Sequence, residues 1–375
     1  MNQHWRTRLR SSGWSFLVAL SLVTGCQTAP KATTTVPPTK ETVGATQSVV
    51  PGSVPKDQGT KTRPADPSRQ AFPRTVNDQL GRSVDIPVAP QRIASAYHMA
   101  TSSLLALGQE EHLVGVEKHS GKRALYGALS PQFGKIAQIG SGKEVHLEEL
   151  ARLKVDLLVV PARLKEQIPA LEALKIPVVA INPESFQEQF SALTLLGEAT
   201  GSVARADELV RWMQNANEET RLAVSGGKRP KVYLAGNKSP LSTAGKKMLQ
   251  SEMLTLAGGQ NVARELEDAY WADLSKEQLI AYAPEVILIV PNATYSKDDL
   301  LKDPLLKDVP AIRNGRIHQM PKLLEMMDAP VPASVVGTRW MAHVLHPEKV
   351  SDADFNRMVQ GFYKTFYGID HVGTK

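Results

Sequence analysis

The sequence predicts an α/β protein of two similar lobes, each with a mostly parallel sheet, joined by one long α-helix and enclosing a ligand cleft between them. Three observations support this prediction. Short apolar runs alternate with amphipathic segments from residue 75 onward, which is typical of a parallel sheet covered by helices on both faces. One segment of this pattern occurs twice. A long amphipathic segment lies between the two copies.

The amphipathic segment, residues 202–224, is predicted to be a helix that connects the lobes. Apolar or small side chains recur in it at spacings of three and four, which places them on one side of a helix: Val203, Ala206, Val210, Met213, Ala216, Thr220 and Ala223. Ser202 is a favourable N-cap residue, and Gly226, Gly227 and Pro230 disfavour continuation of the helix. At about 1.5 Å per residue such a helix has the length of a small domain.

The repeated segment supports two lobes of the same construction. Residues 148–160 align without gaps on residues 277–289, and each copy predicts a helix, a turn and a buried strand. Glu148 and Glu277 lead the two helices. The carboxyl ends of the strands in such sheets bind ligands, so the cleft is expected there.

The other predicted elements follow in chain order. Before the connecting helix we expect a hairpin turn at 78–82, strands at 92–96, 112–116, 156–160 and 176–181, helices at 100–107, 147–153 and 164–174, and a polar loop at 118–135. After it we expect strands at 230–235, 285–290 and 317–320, helices at 247–257, 275–282, 334–345 and 352–367, a further element at 300–306 and a turn at 313–316.

Composition excludes several classes of function. With 375 residues, 42% of them hydrophobic, the chain can bury two cores. The net charge of +6 is spread without a cluster of basic and aromatic residues, so no nucleic-acid binding is expected. An α/β enzyme of two similar lobes is the alternative class, but it would need a nucleophile with a base or a cofactor fingerprint, and neither is found. We predict no enzyme and no resident cofactor or metal. His343 and His346 have metal-like spacing but no evident acid partner.

The N-terminal region is predicted to be an export signal and a tether. Arg6, Arg8 and Arg10 precede the apolar run at 14–23, which is too short to span a bilayer. The run ends in Leu-Val-Thr-Gly-Cys and resembles a bacterial lipobox, which implies lipidation of Cys26, the only cysteine. The alternative is a chance cysteine after an uncleaved anchor. We therefore divide the chain into a lipoprotein signal peptide at 1–26, a disordered tether rich in Thr, Pro, Ser and Lys at 27–74, a first lobe at 75–185, a linker helix region at 186–227 and a second lobe at 228–370.

Seven segments together resemble one family, the solute-binding lipoproteins of bacterial ABC importers whose lobes are linked by a helix (class III periplasmic binding proteins). They lie, in the family's order, at 78–93, 104–116, 146–160, 195–201, 256–263, 274–289 and 345–348. The resemblance implies two Rossmann-like lobes and a monomer held at the extracytoplasmic face of the cell membrane, in the periplasm or at the cell surface. It implies a ferric siderophore or haem as bound solute, with cobalamin as the alternative, and permease subunits as partners. A transition-metal-binding relative would need clustered ligands, whereas the histidines here are scattered. In this family one acid on each lobe docks on the permease, and Glu148 and Glu277 match those positions.

The predicted ligand-binding residues follow the strands of both lobes. They are Tyr97, His98, Met99, Arg123, Tyr126 and Arg163 in the first lobe, and Lys238, Tyr270, Trp271 and Tyr295 in the second. Cationic side chains suit an anionic chelate, and rings and methionine suit a flat macrocycle. His98 is a candidate iron ligand or, alternatively, a hydrogen-bonded structural histidine.

Overall fold

The computed structural model describes residues 71–266 and 270–370. The predicted signal peptide, Cys26 and the tether up to residue 70 lie outside the described residues. The described part opens with an antiparallel hairpin of β1 (Arg74–Asn77) and β2 (Ser83–Ile86). The Asp78 carboxylate closes the predicted turn between them, because its Oδ1 accepts the backbone N–H groups of Leu80 and Arg82 at 3.0 and 2.9 Å.

The first sheet has six strands, five of them parallel. They are β3 (Ile93–Ser95), β4 (Leu113–Glu117), β5 (Ala137–Ser141), β6 (Glu144–Val145), β7 (Leu157–Pro161) and β8 (Val178–Ile181), in the spatial order β6-β5-β4-β3-β7-β8. Only β6 runs antiparallel, to β5. Gly142 and Lys143 connect β5 to β6 in a short hairpin that the sequence did not predict.

The helices of the first lobe differ from the prediction in two places. They are α1 (His98–Ala106), α2 (Ala124–Leu129), α3 (Leu147–Arg152) and α4 (Ile168–Glu172). The segment predicted as a polar loop contains α2 between two 3₁₀ turns. The helix predicted at 164–174 begins as a 3₁₀ segment, Ala162–Gln167, and α4 starts only beside Pro169. Proline has no N–H to donate to the preceding turn, so a continuous α-helix cannot form through it.

The second sheet also has six strands. They are β9 (Lys231–Ala235), β10 (Ser242–Ala244), β11 (Gln260–Asn261), β12 (Trp271–Asp273), β13 (Val286–Ile289) and β14 (Ile317–Gln319). The order is β12-β10-β9-β13-β14, and β11 pairs in parallel with β9. The parallel set β9, β13 and β14 was predicted, whereas the antiparallel β10 and β12 were not. The helices of this half are α7 (Leu249–Leu256), α8 (Lys276–Tyr282), α9 (Lys297–Leu301), α10 (Pro310–Arg313), α11 (Ser334–Leu345) and α12 (Asp352–Tyr367). The predicted fold class, two α/β lobes with mostly parallel sheets, is confirmed.

The repeat found in the sequence is also a repeat of backbone geometry. The turn after α3 places Lys154 at φ 50°, and the turn after α8 places Ala283, its aligned partner, at φ 45°. Neither residue is glycine, so both turns adopt the left-handed conformation at some steric cost. In the first copy, the Asp156 carboxylate accepts a hydrogen bond from the backbone N–H of Arg92 at 2.8 Å. In the second copy, the Glu285 carboxylate accepts one from the backbone N–H of the first residue of β9 at 2.9 Å. Both copies thus use an acid to hold the start of the parallel neighbouring strand, β3 in the first lobe and β9 in the second.

Two helices, α5 (Phe186–Thr200) and α6 (Val203–Ala223), lie between the sheets in the chain. The predicted connecting helix is α6. The side of this helix that was predicted to be apolar is largely the side that is buried. Gly201, at φ 81°, ends α5 in the left-handed conformation that favours glycine. The Ser202 hydroxyl lies 2.7 Å from that of Thr200 and does not cap α6, in contrast to the prediction.

The last helix, α12, makes a second connection that the sequence did not predict. Trp212 of α6 packs against the rings of Phe362 and Phe366, with centroids 5.4 and 5.7 Å away. Arg205 of α6 donates to two backbone carbonyls, one in α1 at 3.3 Å and one in α12 at 2.7 Å. One hydrophobic core therefore runs through both lobes, and α6 is not the only element that joins them.

Candidate functional site

A cleft of about 660 Å³ lies between the lobes, where the strands of the first sheet end. It brings together seven of the predicted ligand-binding residues: Tyr97, His98, Met99, Arg123, Arg163, Tyr270 and Trp271. Residues that follow β3, β4, β5, β7 and β8 line one wall, as expected of an open α/β sheet. The volume lies within the range of about 300 to 1,000 Å³ of small-molecule sites.

Arg123 is held in the cleft wall by a buried carboxylate. Its Nε donates to Oε1 of Glu117 at 2.7 Å, and Glu117 is only 4% exposed. The same carboxylate accepts the hydroxyls of Thr101 at 2.7 Å and Tyr126 at 3.0 Å. A buried carboxylate with three donors is well satisfied and has little freedom to move. Arg123 is therefore a preorganised cation in the cleft lining.

Arg163 is positioned by a carbonyl and a ring. Its Nε donates to the backbone oxygen of Gly142 at 2.7 Å, and its guanidinium lies 4.7 Å from the centre of the Tyr97 ring. A Cβ at position 142 would lie 1.9 Å from an Arg163 nitrogen, so this arrangement requires glycine there. Burial raises the pKa of Tyr97 to about 12, so its hydroxyl stays neutral.

His98 is a neutral imidazole with an unused nitrogen. Burial, followed by the charges of Arg123 and Arg163, lowers its pKa to about 3. Its Nε2 is buried and has no hydrogen-bond partner among the described residues. A neutral imidazole nitrogen is a donor atom for iron and other transition metals, or an acceptor for a ligand hydroxyl.

The wall contributed by the second lobe is aromatic and more exposed. Trp271 opens β12 and is 41% exposed, and Tyr270 beside it is 56% exposed. The Trp271 ring lies against Gly236, where a Cβ would come within 2.8 Å of it. Glycine at position 236 therefore sets how closely this ring approaches the strand. Met326 and Asp328, from the loop before α11, complete this wall.

Three predicted ligand-binding residues do not line the cleft. Tyr126 lies in α2, is 2% exposed and supports Glu117 from behind. Tyr295 is half-buried and donates to the backbone oxygen of Gly236 at 2.6 Å, so it holds the loop after β9. Lys238 is exposed but is not among the lining residues. All three follow strands, as predicted, but none of them is among the residues that line the cleft.

Two acidic residues of the cleft, Glu117 and Glu184, were missed by the sequence reasoning. Glu117 is the last residue of β4 and follows its apolar run. Its position at the carboxyl end of a predicted strand could have identified it as a cleft residue, because ligands bind at that end of the sheet. Burial raises the pKa of Glu184. Burial also raises the pKa of Asp328, to about 6. Glu325 lines a smaller cavity of about 250 Å³ that shares His98 and Arg123 with the cleft. Burial raises the pKa of Glu325 to about 7, although the hydrogen bonds that Ser102 and Tyr367 donate to its carboxylate lower the pKa.

The predicted docking acids occupy matching positions on the two lobes. Glu148 and Glu277 are exposed in the first turns of α3 and α8. The Glu277 backbone N–H and the Ser275 hydroxyl lower the pKa of Glu277, which keeps it charged. Neither acid forms an ion pair within the described ranges, whereas Glu149 pairs with Arg152 at 2.5 Å.

Within residues 71–266 and 270–370, no cluster of three or more His, Cys, Asp and Glu side chains is placed to hold a metal ion. His343 has an acid partner that the sequence did not reveal, Asp352 at 3.0 Å, while His346 faces the carbonyl of Gly258 at 3.3 Å. The same ranges include no helix with the length and apolar character needed to cross a bilayer.

Comparison with known proteins identifies the family. The family model described as periplasmic binding protein matches residues 93–324. The molybdate-binding protein MolA of Haemophilus influenzae is 28% identical over 324 residues, covering 78% of this chain and 91% of MolA. The structure of MolA bound to molybdate has a TM-score of 0.70 at 25% identity, covering 80% of this chain and 99% of that one.

Two further relatives have the same kind of role. The ABC transporter substrate-binding lipoprotein YvrC of Bacillus subtilis is 23% identical, covering 78% of this chain and 91% of YvrC. A vitamin B12-binding protein of Salmonella typhi is 26% identical over 191 residues, covering 50% of this chain and 69% of that protein. These relatives are solute-binding proteins rather than enzymes. The chain belongs to the periplasmic binding protein family, in the class whose lobes are joined by a long helix, and is a substrate-binding protein of an ABC transporter.

Proposed function

We propose that the protein captures an anionic iron chelate, a ferric siderophore or haem, and delivers it to the permease of an ABC importer. The observation that carries this proposal is the pairing of two positioned cations, Arg123 and Arg163, with an opposing aromatic wall that includes Trp271. Guanidinium groups bind carboxylates and other oxyanions through paired N–H donors, and rings bind flat apolar surfaces.

The size and chemistry of the cleft favour a chelate. A volume of about 660 Å³ is large for a bare oxyanion and suits a ligand with both charged and apolar parts. His98 offers a neutral nitrogen to a metal with an open coordination position.

Molybdate is the second candidate, since the MolA relative spans most of both chains and two arginines suit a dianion. Cobalamin, the solute of the vitamin B12-binding relative, is the alternative that the family resemblance implies.

A fluorescence titration separates these candidates, because Trp271 lines the cleft. The protein is titrated with haem, several ferric siderophores, cobalamin and molybdate under identical conditions. We expect saturable quenching by an iron chelate, with a Soret band for haem or charge-transfer bands for a ferric siderophore. Saturation by molybdate or cobalamin alone would replace the iron proposal, and no response to any of the four classes would refute it.

We further propose that the protein is a lipid-anchored monomer at the extracytoplasmic face of the membrane. The lipobox-like segment ending in Cys26 and the lipoprotein relative support the anchor. Replacing Cys26 with alanine should move the protein from the membrane fraction to the soluble fraction. Unchanged membrane association of Cys26→Ala would contradict lipidation.

A further inference from the structure

A second cavity, of about 700 Å³, lies away from the cleft and shares no lining residue with it. Residues of α5, α6, α7 and the segments around β11 line it, and we call it the helical groove. The residues that define it here are Phe186, Phe190, Asn217, Arg229, Leu256 and Arg264. The family role places the solute in the cleft, so this groove has no assigned occupant.

One wall of the helical groove is apolar. The rings of Phe186 and Phe190 stack with centroids 6.0 Å apart and planes inclined by 28°. Leu256 of α7 adds an aliphatic surface to the same cavity. Such a wall accommodates a ring or a short chain by burial of apolar area.

The rim of the helical groove is cationic. Arg229 uses one terminal nitrogen to donate to a backbone carbonyl at 3.0 Å, and Arg264 contacts only its sequence neighbour, Glu265, at 3.5 Å among the described ion pairs. Of the two acids that line the groove, Glu218 pairs with an arginine of α6 at 2.6 Å, whereas Glu252 accepts a backbone N–H at 2.8 Å and keeps its negative charge. Three cations, Arg229, Lys246 and Arg264, line the groove against two acids, Glu218 and Glu252, so the net charge of the lining is +1 (three minus two) and suits an anion.

Asn217 is a buried polar residue in the wall of the helical groove, and its side-chain oxygen lacks a hydrogen-bond donor among the described residues. It lies on the buried face of α6, is only 7% exposed and lines the cavity. Its Oδ1 has no hydrogen-bond partner among the described residues. Buried polar atoms are nearly always hydrogen-bonded, so an unpaired acceptor at a cavity wall points to a ligand donor.

We propose that the helical groove is a second ligand site, which binds an aromatic organic anion that carries an N–H or O–H donor. The apolar body packs on Phe186 and Phe190, the anionic group pairs with Arg229 and Arg264, and the donor satisfies Asn217. The inference does not depend on which solute occupies the cleft.

The probe is 6-anilinonaphthalene-2-sulfonate, a fluorescent aromatic anion with an N–H group. The full chain carrying Cys26→Ala is titrated without detergent or lipid, with fluorescence and calorimetry as readouts. We expect one saturable site per chain. The uncharged analogue 2-anilinonaphthalene should bind at least about tenfold more weakly, because it cannot pair with the arginines.

Two independent variants test the location of the site. The double variant Arg229→Glu and Arg264→Glu reverses the rim charge, and Thr255→Trp fills the groove from an exposed lining position without changing charge. Each should weaken probe binding by about tenfold or more while the thermal unfolding midpoint stays near that of the parent. Arg211→Glu, on the exposed face of α6 outside the groove, is the matched charge control and should bind normally.

The cleft variant Trp271→Ala separates this site from the solute site. It should leave probe affinity unchanged, and the groove variants should leave the cleft titration unchanged. The proposal is overturned if no saturable binding occurs, if both groove variants bind normally, or if Trp271→Ala weakens probe binding as much as they do.

Discussion

The two walls of the cleft are built on different principles. The first-lobe wall presents guanidinium groups fixed by a buried carboxylate and a backbone carbonyl. The second-lobe wall presents aromatic side chains that are 41% and 56% exposed, at the edge of a short antiparallel pair of strands. Preorganised charge supplies orientation and selectivity, while exposed rings can adjust to the shape of a ligand. Under the proposed function, the first-lobe wall would select a solute for its negative charge, and the second-lobe wall would accept a range of apolar shapes.

On their outer surfaces, in contrast, the two lobes are alike. Each has an exposed acid in the first turn of a repeated helix, Glu148 in α3 and Glu277 in α8, and this is where a partner with matching basic patches would dock. Substitutions that affect docking and substitutions that affect the cleft should therefore have separable effects.

The largest effect is expected on the matched surface. The double variant Glu148→Ala and Glu277→Ala should abolish uptake of the solute by cells and leave its affinity for the purified protein intact, because both acids are remote from the cleft lining. Uptake of radiolabelled solute and the quenching titration measure the two quantities. Glu149→Ala, which removes a neighbouring acid already paired with Arg152, is the control and should transport normally. Normal transport by the double variant would rule out docking through these acids.

An intermediate effect is expected on the charged wall. Arg163→Gln should weaken binding of an anionic solute by about tenfold or more, because one of two positioned cations is lost. Arg152→Gln, a substitution of an exposed arginine outside the cleft, should have no effect on affinity. If Arg163→Gln binds as tightly as the parent in the titration, the cleft does not recognise charge through this residue.

The smallest effect is expected on the aromatic wall. Trp271→Ala should weaken binding by about three- to tenfold, the size expected for one ring contact, and Trp271→Phe should restore most of the loss. Calorimetry measures both, since the alanine variant also removes a fluorophore. A loss from Trp271→Ala greater than that from Arg163→Gln would reverse the proposed division between the walls.

Apolar periodicity predicted most of the parallel strands and most long helices, because these elements bury continuous apolar faces, but it missed the parallel strands β5 and β11 and the helix α5. The helices α11 and α12 begin and end at the residues expected. Periodicity did not predict β10 and β12, because strands of three residues are too short to show a recognisable alternation of apolar and polar residues. Glu148 and Glu277 were paired from the sequence because they lie in a repeated segment, and their role in docking stays a prediction.

The direction of individual side chains in the loops was harder to predict. Position after a strand correctly placed Arg163 and Trp271 in the cleft but wrongly placed Tyr126 there, since burial of that ring depends on α2, a short helix the sequence did not reveal. Glu117 was missed because a carboxylate at the end of an apolar strand is recognisable only from the three donors that tertiary structure brings to it.

The position of α12 has a consequence for the order of folding. Arg205 bonds to a carbonyl that lies 160 residues further along the chain, and the rings of α12 complete the core that both lobes share. Contacts of such long sequence separation form late, after loop closure has been achieved. During synthesis the shared core cannot close until the last helix is available, so the nascent chain stays incompletely folded until near its end. A chain that must cross a membrane before it folds would benefit from that delay.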